Sequence, residues 1–110
     1  MHGAVASFEL GKEVTAAVLA DLETAPIAEP LLATLRLLQQ MTLAPQSLER
    51  AHLQAALAAG VEREALRDAI YVAAAFNVIV RMADAMDFRL PDAAGNAASA
   101  KSLLRFGYRL

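Results

Sequence analysis

The chain contains no cysteine and no tryptophan, and only 5% of it is aromatic. Without a thiol it can form neither a disulfide nor a thiolate nucleophile, so redox or acyl-transfer chemistry on its own sulfur is excluded. The five glycines are scattered, and none makes the spacing of a nucleotide cradle. The two histidines are His2, at the terminus, and His52, and neither has a second nitrogen ligand one helical turn away. No metal and no cofactor is therefore expected. Ser47 and Ser99 lack the sharp strand-to-helix turn that exposes a serine nucleophile. There is no run of Lys or Arg, and the formal net charge is −2, which offers no footprint for nucleic acid or for an anionic membrane surface. The longest apolar run, Ala69 to Val80, contains Asn77 and falls well short of the roughly 20 residues that span a bilayer. No basic segment leads into a hydrophobic stretch with a cleavage site, so the expected compartment is the cytoplasm.

Aliphatic residues are abundant instead. Hydrophobic residues make up 57% of the 110, much of it alanine and leucine, which keep their rotamer freedom in a helix and favour it. The length suits one domain spanning 1–110 with one core. Apolar residues recur at spacings of three and four, with no useful β-type alternation, and predict an all-α bundle of about five helices. The first should run from Phe8 to Glu23, with Leu10, Val14, Ala17, Val18 and Leu22 on one face. Pro26 starts a second, in which Ile27, Leu31, Leu35, Leu38 and Met41 face inward while Glu29, Arg36 and Gln40 turn away, ending near Thr42. A third, from Leu48 to Ala59, would be capped by Ser47 and closed by Gly60. The fourth spans Glu62 to about Asp87 and is apolar on every side from Ala69 to Val80 except at Asn77. Such a helix must be enclosed, and three amphipathic neighbours do not suffice, so part of it should meet another copy of the chain. After a loop over Leu90-Pro91-Asp92 and Gly95-Asn96, a last helix covers Ala97 to Phe106.

Two constellations could carry chemistry. His52 lies roughly opposite Arg50 and Gln54 on its helix and so points to the interior or a cleft. Glu49, three residues earlier, could orient the ring or raise its basicity, and a histidine beside a carboxylate is minimal equipment for general acid–base catalysis. The plainer alternative is a histidine that packs and hydrogen-bonds at a helix interface. Asn77, Arg81 and Asp84, at spacings of four and three, share one stripe of the apolar fourth helix. There they could line a polar pocket in which the forked Arg81 guanidinium holds a carboxylate. Alternatively, Arg81 and Asp84 pair with each other or across a subunit contact.

Leu43-Ala44-Pro45, Ala58-Ala59-Gly60-Val61 and Phe76-Asn77-Val78-Ile79-Val80-Arg81-Met82-Ala83-Asp84-Ala85, in this order, resemble the carboxymuconolactone decarboxylase superfamily, which includes the AhpD-like alkylhydroperoxidases. The likeness covers about Leu35 to Phe88 and extends loosely to Gly107-Tyr108. It implies an all-helical subunit that assembles through a hydrophobic central helix into homo-oligomers, commonly trimers or hexamers. The peroxidase branch carries C-x-x-C-x-x-x-H before the glycine of the helix end. His52 matches the histidine of that motif, but Pro45 and Leu48 stand at the cysteine positions and Ala33 stands near the place of the branch's upstream glutamate. Dithiol peroxidase activity is accordingly not expected of this chain. The decarboxylase branch is cysteine-free here and keeps a segment similar to His52-Leu53-Gln54-Ala55-Ala56, which favours an acid–base role for His52.

Three readings follow. The first is an enzyme acting on a small carboxylated or lactone substrate, with His52 as acid–base and Arg81 as anchor. The second is a non-catalytic homo-oligomer binding a small molecule or a protein. The third is a peroxidase relative that has lost its thiol activity, or that works through a partner's thiols.

Overall fold

The computed structural model describes residues 2–89 and 91–107, and the His2 side chain, Leu90 and Tyr108 lie outside the description. The described residues form six α-helices and no strand, so the chain is all-α. By its contacts the chain divides into two compact units, Met1–Pro26 with Arg89–Leu110, and Ile27–Phe88.

The first unit holds α1 (His2–Leu10), α2 (Lys12–Ala20), a single 3-10 turn at Leu22–Thr24 and α6 (Ala93–Phe106). The one helix expected over Phe8 to Glu23 is therefore two, because Gly11 sits at φ 88° and ψ 149° between them. Such a backbone is strained for any residue with a Cβ. Thr15, buried on α2, donates its hydroxyl to the Gly11 carbonyl at 2.9 Å. α1 packs on α2 and on α6, and the fully enclosed Ala100 brings α6 in. α6 begins at Ala93, earlier than the Ala97 expected, since the Asp92 side chain accepts the Gly95 N–H at 2.8 Å as an N-cap. Gly95 and Asn96 thus belong to its first turn rather than to a loop.

The second unit holds α3 (Glu29–Leu43), a 3-10 turn at Pro45–Ser47, α4 (Arg50–Ala58) and α5 (Arg63–Ala85). α3 packs against both α4 and α5. The core is small and aliphatic: Ala33 and Leu37 from α3, Ala56 from α4 and Leu66 from α5, with Leu53, Leu57, Val61 and Ile70 against them. The expected inward stripe of α3 is displaced by about one position. Leu32, Ala33 and Leu37 are buried, while Leu31, Leu35, Leu38 and Met41 are only half-buried. Leucines occupy both flanks of this helix, so the pattern alone did not say which flank meets α4 and α5. Gln40, expected to face away, is half-buried and donates to the Ala44 carbonyl at 3.3 Å and the Ser47 hydroxyl at 2.7 Å.

α4 ends as expected at Gly60, whose φ is 89°. The Gly60 N–H reaches the Leu57 carbonyl at 3.1 Å and the Val61 N–H reaches Ala56 at 3.2 Å, the paired bonds of a Schellman motif. α5 ends the same way: Asp87 N–H to Asp84 at 3.2 Å and Phe88 N–H to Ala83 at 3.0 Å, with Asp87 at φ 50°.

The apolar middle of α5 is not enclosed by its own chain. Tyr71 is 67% exposed, Ile79 55% and Phe88 61%, and Val72, Val78, Val80, Met82 and Met86 are likewise exposed. Tyr71, Ala75, Val78, Ile79, Met82 and Met86 follow one another at helical spacing on the side of α5 opposite Leu66, Ile70 and Ala73. The helix thus has two apolar faces, of which α3 and α4 cover one. Among the described residues no helix is long and apolar enough to cross a membrane.

Candidate functional site

His52 owes its position to the start of α4. The expected N-cap, Ser47, is engaged elsewhere: its hydroxyl donates to the Ala44 carbonyl at 3.0 Å and accepts from Gln40, so it closes the turn after α3. Glu49 is the N-cap instead, with extended φ −121° and ψ 161°, and it closes a capping box with His52. In an ordinary capping box a Glu or Gln at the third helical position reaches back to the cap's N–H. Here an imidazole does so, with Nδ1 accepting the Glu49 N–H at 3.0 Å. The Glu49 side chain faces the His52 backbone N–H. Glu49 therefore does orient the ring, but through its main chain, not through its carboxylate.

The same Nδ1 lies 3.3 Å from the Glu49 carbonyl oxygen. A neutral ring, protonated on Nε2, accepts from the Glu49 N–H, whereas an imidazolium can donate Nδ1–H to the Glu49 carbonyl. Each protonation state thus has a main-chain partner, and in each Nε2 has none among the described residues.

His52 is half-buried and lines a groove of about 440 Å³ between α3 and α4. Its apolar lining is Ala33, Leu37, Leu43 and Ala55, and its polar groups are Glu29, Arg36, Gln39, Gln40 and His52. Ala33 shares this groove with His52. Glu29 lies one turn before it on the same stripe of α3. Sequence reasoning missed Glu29 and Arg36 as site residues because it set them facing away. The signal was present: Glu29, Ala33, Arg36, Leu37 and Gln40 fall at successive offsets of four, three, one and three, a single helical stripe. Glu29 Oε1 and Arg36 Nη1 are 3.5 Å apart.

Asn77 and Arg81 line a different groove, with Thr42, Ala73, Phe76 and Val80, between α5 and the end of α3. Asn77 Nδ2 donates to the Ala73 carbonyl at 3.0 Å and to the Thr42 hydroxyl at 3.3 Å. Arg81 Nη1 donates to the Asn77 carbonyl at 2.7 Å and to its Oδ1 at 3.1 Å. The two side chains clamp each other and tie α5 to α3. Asp84 is exposed, does not line that groove and makes no ion pair with Arg81. The structure therefore brings Asn77 to Arg81 and Glu49 to His52, but within one chain it puts His52 and Arg81 in separate grooves.

Among the described residues no three His, Asp or Glu side chains gather to hold a metal ion. Compared with known protein families, with curated proteins and with solved structures, the chain matches none.

Proposed function

We propose that this chain is a cysteine-free relative of the carboxymuconolactone decarboxylases, acting as a homo-oligomer on a small carboxylated or lactone substrate, with His52 as its acid–base group. The observation that carries this reading is the His52 ring itself. It lies in a groove, held at Nδ1 by main-chain groups, while Nε2 has no partner among the described residues. Decarboxylation breaks the bond between a carbon and its carboxylate and leaves the electron pair on that carbon as carbon dioxide departs. An imidazolium Nε2–H then supplies the proton that the carbon takes up, which leaves the neutral ring with its proton on Nδ1, the atom 3.3 Å from the Glu49 carbonyl oxygen. The exposed apolar face of α5 supports assembly, because Tyr71, Val78, Ile79, Met82 and Met86 stand together on it, and contiguous exposed apolar patches mark interaction surfaces.

The test is turnover of an unsaturated lactone bearing one carboxylate, followed by release of carbon dioxide and by loss of the carboxylate carbon signal in NMR spectra. His52→Gln should abolish it while the oligomer persists in size-exclusion chromatography with light scattering. Wild-type rates in that variant would refute the role of His52.

One observation favours the second reading, a non-catalytic binding oligomer. His52 and Arg81 do not share a groove, so a single chain does not assemble the pair first expected to act together. Binding of the lactone without turnover by the wild-type protein would decide for it.

A further inference from the structure

The first unit holds a groove of about 490 Å³ that the chemistry at His52 does not use, a volume within the roughly 300–1,000 Å³ of small-molecule pockets. Ala4 and Phe8 line it from one stripe of α1, and Ala93, Ala97 and Lys101 line it from one stripe of α6. Lys12 joins them as the first residue of α2, just after the break at Gly11. Neither lysine makes an ion pair or a hydrogen bond with any described residue. No Asp or Glu is among the described residues that line the groove. The chain carries 12 acidic against 10 basic residues, so a groove with two cations and no acid runs against its average. Like charges that share a site repel each other, and an anion touching both relieves that repulsion.

The two cations and their neighbours define the anion. A flat carboxylate is matched best by the planar fork of arginine, and no arginine is among the described residues of this groove. An ammonium is a compact point charge with three donors. Two of them suit a tetrahedral dianion, and a phosphomonoester carries about −1.5 to −2 charges at pH 7. Ser7 also lines the groove, but its hydroxyl proton goes to the Gly3 carbonyl at 2.8 Å, so the lysines are the free donors. Phe8, 53% exposed, presents aromatic surface there, and the short side chains of Ala4, Ala93 and Ala97 leave room for a ring beside it. We infer that this groove binds a small aryl phosphomonoester, with Lys12 and Lys101 on the phosphate and Phe8 against the ring. The site stands independently of His52, and none of its residues belongs to α5. Both lysines are exposed, so each charged contact is modest and salt weakens it.

Three probes separate the charge from the ring: phenyl phosphate, phenyl sulfate, which has the same shape with one charge, and inorganic phosphate, which has no ring. Each is titrated into the whole chain at low ionic strength and about pH 8, above the second phosphate pKa of about 6, and followed by backbone amide chemical shifts. Phenyl phosphate should shift the amides of Ala4, Phe8 and Ala97. It should bind roughly two- to fivefold better than phenyl sulfate, the range of an exposed charge contact. It should also bind roughly two- to tenfold better than inorganic phosphate, the range of an aromatic pair. Lys12→Met and Lys101→Met keep the aliphatic stem and should each remove most of the preference for phosphate over sulfate, whereas Lys101→Arg should retain it. Phe8→Ala should bring phenyl phosphate down to the level of inorganic phosphate. Circular dichroism checks that the helices persist, and the lysine variants decide the case if Phe8→Ala loses α1, because exposed substitutions rarely disturb a fold. The inference is overturned if the wild type does not prefer phenyl phosphate to phenyl sulfate, if the shifts fall on other helices, or if the double variant Lys12→Met with Lys101→Met binds as the wild type does.

Discussion

Two faces of one helix, α5, have almost the same composition and opposite fates. Leu66, 1% exposed, and Ile70 are drawn into the core with Ala33, Leu37 and Ala56. On the other side Tyr71, Val78, Ile79, Met82 and Met86 stay in water. The difference is not one of hydrophobicity but of supply. α3 and α4 are the neighbours that contribute to the core against α5, and they cover one side of it. A pattern that is apolar all round states that a helix wants to be surrounded, and it leaves open whether its own chain or another does the surrounding.

The inner face should be the costlier to damage. Leu66→Ala empties a fully packed position where three helices converge, and large-to-small changes of this kind cost about 2–5 kcal/mol. Urea unfolding followed by circular dichroism should show a midpoint lowered accordingly. A change below about 1 kcal/mol would mean that the second unit does not depend on this core.

The outer face should behave in the reverse manner. Ile79→Glu puts a charge on exposed apolar surface, where substitutions usually move the stability of a folded chain by no more than about 0.5 kcal/mol. It should nevertheless convert an oligomer to a monomer in sedimentation equilibrium, with the helical signal intact. Linkage gives a companion measurement: the melting temperature of the wild type should rise with protein concentration and that of the variant should not. A wild-type chain that sediments as a monomer at all concentrations would remove the case for assembly through α5.

Much of this helix was legible in the sequence, and for physical reasons. Its bounds follow from hydrophobic periodicity and from Gly60, whose positive φ few other residues tolerate. Elsewhere the letters underdetermined the outcome. The break at Gly11 went unread because a lone glycine is tolerated inside a helix at modest cost, and what marks the break is the Gly11 backbone at φ 88° and ψ 149°, which the letters do not show. Ser47 and Glu49 were both near the start of α4, and serine is the better cap by preference. The choice fell to Glu49 because His52 could complete its box and Gln40 had already engaged Ser47. The groove suffered from the same ambiguity as α3. With leucines on both flanks, the side carrying Glu29 and Arg36 read as solvent-facing, and the packing against α4 turned it into a site wall. His52 was legible as a candidate because it is the one imidazole well inside the chain, whereas Glu29 and Arg36, which line the same groove, were not.

The two ends of this region sharpen the comparison on a smaller scale, since α4 and α5 close with the same pair of backbone bonds but different residues at the left-handed position. Gly60, before α5, takes φ 89° without penalty, and nothing within 4 Å would obstruct an added Cβ. Gly60→Ala should therefore destabilise through backbone conformation alone, by about 1–2 kcal/mol, less about 0.5–1 kcal/mol recovered from the lower entropy of the unfolded alanine chain. Asp87, after α5, already carries that penalty at φ 50°. Aspartate bears a left-handed conformation better than most residues, since its short polar side chain can bond locally. Asp87→Gly should then stabilise by only about 0.5 kcal/mol, the difference between the strain relieved and the entropy lost. Differential scanning calorimetry on the monomeric Ile79→Glu background separates both effects from association. A loss of stability in Asp87→Gly would mean that the aspartate side chain contributes more at the end of α5 than its backbone strain takes away.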